Sequence, residues 1–308
     1  MMEKIHILLF YKFVEIKSPD RFVREHLQFC KKLGVLGKIL VAKEGINGSI
    51  SGTKSRVEKY KNNLKKDKRF SDIFFKEDVG TMHPFTRMAV RVKKEIIRMD
   101  KQVNLSKKGK YVNSEQFLEL YDKKDKNLII LDARNDYESK VGKFKGAITP
   151  NIKTFREFPD YVKKNIKKLK GKKIVTYCTG GIRCEKASAY LVEQGCKEVY
   201  QLEGGILTFC KERPDTVWQG KCFVFDKRLV TPVNKKDETL TDCEICSIKC
   251  DLYRNCKNND CDRYVIMCLN CEKKMNGCCS GKCLKEFRQG CLIKSLKNQG
   301  KKQLVVNN

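Results

Sequence analysis

Histidine is scarce in this chain of 308 residues: only His6, His26 and His83 occur, and their spacing offers no two-histidine, one-carboxylate triad for non-haem iron. His26 falls on a helical segment and reads as a surface residue rather than a ligand. No flavin or haem motif is present either, so no organic cofactor is expected. No stretch reaches the ~18 apolar residues of a membrane span. The opening Met1-Met2-Glu3-Lys4-Ile5-His6 lacks the apolar run and small-residue cleavage site of a secretory signal, so a cytoplasmic location is expected. Acidic residues are also in deficit, 37 against 66 Lys and Arg, for a formal charge of +29.

Positive charge is densest at the start, where residues 1–110 hold 27 Lys and Arg against 12 Asp and Glu. Such a field raises encounter rates with polyanions, nucleic acid foremost. A general Lys-rich bias of composition explains the same numbers equally well. The hydrophobic fraction of 41% falls in short periodic blocks, which indicates folded domains rather than disorder. Cysteine is abundant, with 17 in all and eleven crowded between Cys243 and Cys291. In a reducing compartment that crowding, with its Cys-x2-Cys pairs, indicates metal ligation rather than disulfides.

Residues 5–14 form a near-continuous apolar run and predict a buried strand. Ser18-Pro19-Asp20 starts a helix that Gly34 ends. Residues 36–42 and 46–51 are two short strands flanking a turn region that begins at Gly45, and Thr53 to Lys66 is a Lys-rich helix. Strand character returns over 73–79 and 88–97. The order βαββαβ predicts a ferredoxin-like module over 1–100. A Lys, Gly and Asn linker at 101–110 leads to a second unit, 111–219, whose first helix Ser114 caps. There, strands at 128–132, 173–177 and 197–202 alternate with helices, as in a parallel α/β sheet. Residues 220–295 form a Cys-rich region, and 296–308 a polar, frayed tail.

The loop Cys178-Thr179-Gly180-Gly181-Ile182-Arg183 stands after a central strand and before a helix, where ligands of parallel sheets bind. A thiol there feels the positive end of the helix dipole. The two glycines let the backbone curl so that N–H groups converge on one small anion, and Arg183 adds fixed positive charge. The cradle favours a thiolate, or a persulfide one sulfur longer. Phosphatases built on a Cys and an Arg place five residues between them; here four intervene, and the smaller ring argues against phosphate ester hydrolysis. Cys184 is a resolving thiol or a small buried residue. Asp132 and Arg134, at a strand end, support the site or brace the loop as a salt bridge.

Over 111–219 the chain resembles a rhodanese domain, through Leu131-Asp132-Ala133-Arg134, Glu138, Gly146-Ala147-Ile148, the Cys178 loop, Glu203-Gly204-Gly205-Ile206 and Trp218. Phe144-Lys145 stands where many rhodaneses have Gly-His. The longer phrase Tyr177 to Ser188 (YCTGGIRCEKAS), with Lys43-Glu44-Gly45-Ile46-Asn47-Gly48 and Val141-Gly142-Lys143-Phe144-Lys145-Gly146-Ala147, resembles the rhodanese-like tRNA uridine hydroxylases over about residues 1–230. The resemblance implies oxygen-dependent hydroxylation of the wobble uridine of tRNA to 5-hydroxyuridine. It makes molecular oxygen the co-substrate, tRNA the partner, and Cys178 the position of the persulfide intermediate. A plain sulfurtransferase and a non-catalytic RNA-binding scaffold are the rival readings. An intact Cys178 and Arg183 count against the scaffold.

Two further features stay open between roles. Lys43 to Gly48 could bring backbone close to RNA or to the active loop, while Asn47-Gly48 suits a tight turn. Lys54, Arg56, Lys59, Arg87, Arg91 and Lys93 are candidate phosphate contacts or a solvated face. The pairs Cys243/Cys246, Cys256/Cys261, Cys268/Cys271 and Cys279/Cys283 supply ligands for two structural zinc ions. Cross-brace and sequential pairing both fit the spacing, and Cys250, Cys278 and Cys291 are left over.

Overall fold

The structure is a computed structural model that describes residues 4–236, 238–261 and 263–290. Cys291 and the expected tail 296–308 lie outside the described residues. The chain divides after Lys236 into two compact units.

The first unit opens with β1 (Ile5–Phe13), α1 (Pro19–Leu33), β2 (Leu36–Ala42), β3 (Gly45–Gly52), α2 (Lys54–Lys66), β4 (Phe75–Gly80) and β5 (Met88–Val92). These strands form a sheet in the order β4-β1-β3-β2-β5, the ferredoxin-like arrangement with β5 added parallel to β2 at the edge. Alternation along β1 sends Leu8 and Phe10 into a core with Val57, Tyr60 and Leu64 of α2. The other side of β1 carries Leu9, Tyr11 and Phe13, which are only half-buried.

Three local expectations are corrected here. The β2–β3 turn is Lys43-Glu44, while Asn47 and Gly48 lie within β3, where Gly48 faces Phe10 across the ladder. Asn47 bonds the Ile96 carbonyl through its side chain (2.9 Å), so its amide serves a tertiary contact rather than a turn. The strand predicted over 88–97 ends at Val92, because the backbone beyond turns to meet Glu44, which accepts from Ile96 N–H at 2.7 Å. His26 is buried against Phe22 and bonded to the Tyr60 hydroxyl at 2.9 Å; burial pushes its pKa down to about 4, so the ring is neutral.

Next come β6 (Lys110–Val112), α3 (Ser114–Asp122), β7 (Leu128–Asp132), α4 (Asp136–Lys140), β8 (Gly142–Phe144), α5 (Phe158–Leu169), β9 (Lys173–Tyr177), α6 (Ile182–Glu193), β10 (Glu198–Leu202) and α7 (Gly205–Glu212). The parallel sheet runs β6-β10-β9-β7, as a rhodanese-like α/β domain requires. The N-cap of α3 is Asn113, in a capping box with Gln116; Ser114 instead donates to Glu212 of α7 at 2.6 Å. Residues 101–110, expected as a linker, contain a 3-10 turn at Leu105–Lys107 and run into β6, and Val103 packs on the core of this domain. Three short strands close the unit: β11 (Trp218–Gly220) pairs β8, and β12 (Cys222–Phe223) pairs β13 (Val230–Thr231).

Among its described residues the second unit has a small hairpin, β14 (Tyr253–Asn255) with β15 (Tyr264–Ile266), a short helix, α8 (Leu269–Lys274), and a helical stretch over 281–290. Its buried side chains are largely cysteines, joined by Tyr253, Val265, Ile266 and Met267.

Candidate functional site

The loop between β9 and α6 is largely buried, and Cys178 is 0% exposed. Gly181 N–H donates to Cys178 Sγ at 3.1 Å. Burial alone would push this thiol up. It is outweighed by a hydrogen bond from the Cys184 thiol, the Arg183 charge, and backbone N–H groups of Arg183 and Cys184, which together bring Cys178 down to about 5. Cys184 is correspondingly pushed well above the ordinary thiol range, by burial first and then by the neighbouring sulfur anion. The pair therefore divides into one thiolate and one donor thiol.

Gly181 adopts φ +95°, and a side chain there would meet the Tyr11 hydroxyl at 3.0 Å. Gly205 (φ +69°) is confined more tightly: an added Cβ would lie 2.5 Å from the Cys178 carbonyl oxygen. That glycine lets α7 approach closely enough for Ile206 N–H to bond the same carbonyl at 3.0 Å. Thr179 is buried, and its carbonyl accepts from Leu207 N–H at 3.2 Å; Ile182 is half-buried at the start of α6.

The Arg183 guanidinium does not float free beside the sulfur. Both its terminal nitrogens donate to the Glu138 carboxylate, Nη2 at 2.7 Å, in a pair that is almost wholly buried. Glu138 Oε1 also accepts from Asn135 N–H at 3.1 Å at the start of α4, so the pair with Arg183 ties α4 to the loop. Asp132 and Arg134 pair with each other instead, through Nη2 to Oδ2 at 2.7 Å. Arg134 also bonds the Glu138 and Gly142 carbonyls (3.2 and 2.7 Å), so this pair braces the segment that presents Glu138.

The ferredoxin-like sheet supplies the lid. Leu9 of β1 packs on Gly180, with its Cδ2 only 2.9 Å from where a Cβ would stand, and Tyr11 covers Gly181. Tyr11 donates to Glu185 Oε1 at 3.0 Å, and that carboxylate also accepts from Tyr111 and from Lys108, each at 2.7 Å. Lys186 is buried between Glu44 (2.9 Å) and Glu95 (2.6 Å). Glu44 belongs to the Lys43–Gly48 segment, and through it that segment is joined to α6. Lys76 of β4 is the register partner of Leu9 and forms no ion pair among the described residues. Burial lowers it to about 8, against the opposing pull of Cys178, Glu185 and Glu203.

Glu138, Glu185, Lys186, Tyr11 and Lys76 escaped the sequence reading as site residues. The signal available for them was weak: Glu185 and Lys186 sit inside the phrase after Arg183, but nothing local identifies their partners. Lys54, Arg56 and Lys59 lie on or beside α2; Arg56 bonds the Gly34 carbonyl (3.0 Å).

In the second unit the eight paired cysteines form two groups, Cys243/Cys246/Cys268/Cys271 and Cys256/Cys261/Cys279/Cys283, with the sulfurs of each group within 4.8 Å of one another. The first pair therefore joins the third, and the second the fourth: the arrangement is a cross-brace. Sγ–Sγ distances of 3.7 Å (Cys246–Cys268) and 3.6 Å (Cys261–Cys279, Cys279–Cys283) match the roughly 3.8 Å between thiolates placed tetrahedrally about 2.3 Å from one ion. Backbone N–H groups point at Cys243 and Cys256 sulfurs, both at 3.4 Å. Both groups could hold a metal ion. Cys250 and Cys278 are buried outside them.

Comparison with known proteins agrees with this anatomy. Three family profiles match in succession: the UPF0176 acylphosphatase like domain over residues 5–96, the Rhodanese-like domain over 114–212, and Rhodanase C-terminal over 219–284. A tRNA uridine(34) hydroxylase of Bacillus licheniformis is 43% identical over 92% of this chain and 89% of its own length. Proteins of that name from Onion yellows phytoplasma (42%; 90% of this chain, 91% of its own) and Staphylococcus epidermidis (44%; 92% and 89%) are similarly close.

Proposed function

The chain belongs to the tRNA uridine(34) hydroxylase family, and from that premise we propose that it converts the wobble uridine of tRNA to 5-hydroxyuridine with molecular oxygen, using Cys178. The observation that carries the residue assignment is the Cys178 sulfur, brought down to about 5 inside a ring of amides. At neutral pH it is an anion, and it is the nucleophile the site can offer to an electron-poor pyrimidine carbon or to a sulfur donor. Gly181 N–H and the loop amides hold that charge, as they would hold the terminal sulfur of a persulfide. Arg183 adds positive charge without leaving Glu138, so Glu138 fixes where the charge stands. Thr179, Gly180 and Ile182 shape the ring; Asp132 and Arg134 support it indirectly.

The same reading takes the two cross-braced groups as structural zinc sites, since four thiolates per ion leave no position for water. It also places the protein in the cytoplasm, with tRNA. No helix among the described residues is long and apolar enough to cross a membrane.

The test is nucleoside mass spectrometry of tRNA from cells lacking the gene, complemented with wild type or Cys178→Ala, in air and without oxygen. The expected result is 5-hydroxyuridine only with wild type in air. Unchanged tRNA across all strains would overturn the hydroxylase reading and leave a sulfurtransferase.

A further inference from the structure

An exposed aromatic ring beside a cation offers a π-face and a charge to the same ligand. Phe74 and Phe225 are 63% and 58% exposed, and each borders a cation of the site just described. The Arg183 guanidinium lies 5.8 Å from the Phe225 ring centre. The Lys76 ammonium lies 5.3 Å from the ring centres of both Phe74 and Tyr11. The two segments are tied together: Arg228 Nη1 bonds Asp78 at 2.6 Å, and Lys227 N–H bonds the Pro84 carbonyl at 3.1 Å. Phe225 is also backed by Phe223 edge-to-face at 5.2 Å, which meets Tyr137 at 5.2 Å.

We propose that Phe225 and Phe74, with Lys76, form a stacking subsite for unpaired pyrimidine bases of the substrate RNA beside the Cys178 loop. The proposal rests on the hydroxylase reading for the identity of the RNA. Single-stranded loops are recognised by splaying bases onto aromatic faces, and a base offers both a π-face for the phenyl ring and carbonyl acceptors for an ammonium. Lys76, without a carboxylate partner among the described residues, can donate to a uracil carbonyl or a phosphate. An apolar protein partner would use the rings but leave that cation without a counterpart. The strongly basic first domain attracts the backbone, and the rings select a segment whose bases are already unstacked.

The experiment measures binding of a fluorescein-labelled anticodon stem-loop RNA by anisotropy, using full-length protein that carries Cys178→Ala so that chemistry plays no part. Phe225→Ala and Phe74→Ala should each weaken binding on the order of ten- to a hundredfold, and Phe225→Trp should restore it. The deficit should vanish for an RNA made abasic at the wobble position and its neighbour. Both rings are exposed, so melting temperatures should stay at the parent value. Equal affinity of Phe225→Ala and its parent overturns the proposal. So does an equal loss on the abasic RNA, or loss of self-association with RNA affinity intact. In the Cys178-containing protein, 5-hydroxyuridine formed by Phe225→Ala at unchanged KM overturns stacking and leaves the hydroxylase reading standing. Absence of 5-hydroxyuridine with wild type strikes that reading alone.

Discussion

The two sulfur-rich regions of this protein solve opposite problems. Around Cys178 a whole α/β domain and one face of a second sheet are organised to hold a single thiolate, with amides, one guanidinium and one donor thiol lowering its pKa. In the second unit eight cysteines lie in two groups whose sulfurs nearly touch, with a small hairpin and short helical stretches around them. A lone buried thiolate is stabilised by dipoles and stays reactive. Four together repel one another unless a cation sits among them, and with it they lose their reactivity. On the proposed reading the same element is a reagent in one region and, around a bound cation, a substitute for a hydrophobic core in the other.

That contrast predicts a sharp asymmetry on metal removal, the largest effect expected. Chelation should unfold residues 238–290 while leaving residues 4–236 protected, because metal-binding free energy in thiolate sites, roughly 10–16 kcal/mol, is folding free energy. Hydrogen exchange read by mass spectrometry checks it segment by segment. Protection that survives in the second unit after the metal is stripped would erase the contrast.

The reagent side breaks differently. Glu138→Ala removes the partner of a buried guanidinium, which costs about 3–5 kcal/mol. Chemical denaturation should register that loss in the first unit only. Acidity gives the next, smaller effect. The folded-state pKa of Cys178 is depressed, so the thiolate dominates above about 5, and alkylation by iodoacetamide should fall about tenfold per pH unit below that point. Arg183→Met should move the midpoint up by about 1–3 units. The double variant Arg183→Met/Glu138→Gln separates loss of the cation from the carboxylate it leaves exposed to the sulfur. A midpoint unmoved in both would assign the acidity to the amides and Cys184 alone.

The shape of the Cys178 loop was legible because six contiguous residues, between a strand and a helix, determine it. Its surroundings were not. Glu138 reaches Arg183 across 45 residues, and Tyr11 reaches Glu185 across 174, with no local pattern that marks either end. Asn47-Gly48 misled for a related reason: the dipeptide suits a turn, yet Gly48 is needed inside β3 under the Phe10 ring and Asn47 holds Ile96. His26 misled because a polar ring on a helix is buried here by one hydroxyl partner, Tyr60. The ferredoxin-like and parallel α/β sheets could be read from strand and helix order alone. The cross-brace could not, since cysteine spacing is the same whichever pairs share an ion.

The smallest predicted effect tests whether the first domain governs access to the reagent thiol. Leu9 rests on Gly180, and Cys178 has no exposed surface beneath it. Leu9→Ala keeps every group that lowers the Cys178 pKa in place, and the burial it relieves was raising that pKa. At pH 7 the thiolate is already fully formed, so any change in alkylation rate reports access rather than charge. A few-fold faster reaction at pH 7 is expected, with the pH midpoint no higher than in the parent. An unaltered rate would mean that the sulfur is reached only when the two sheets part as a whole, the lid then being the domain and not the side chain. Variants that loosen the Lys186 pairs to Glu44 and Glu95 should then accelerate alkylation where Leu9→Ala does not, because those pairs join α6 to the first domain.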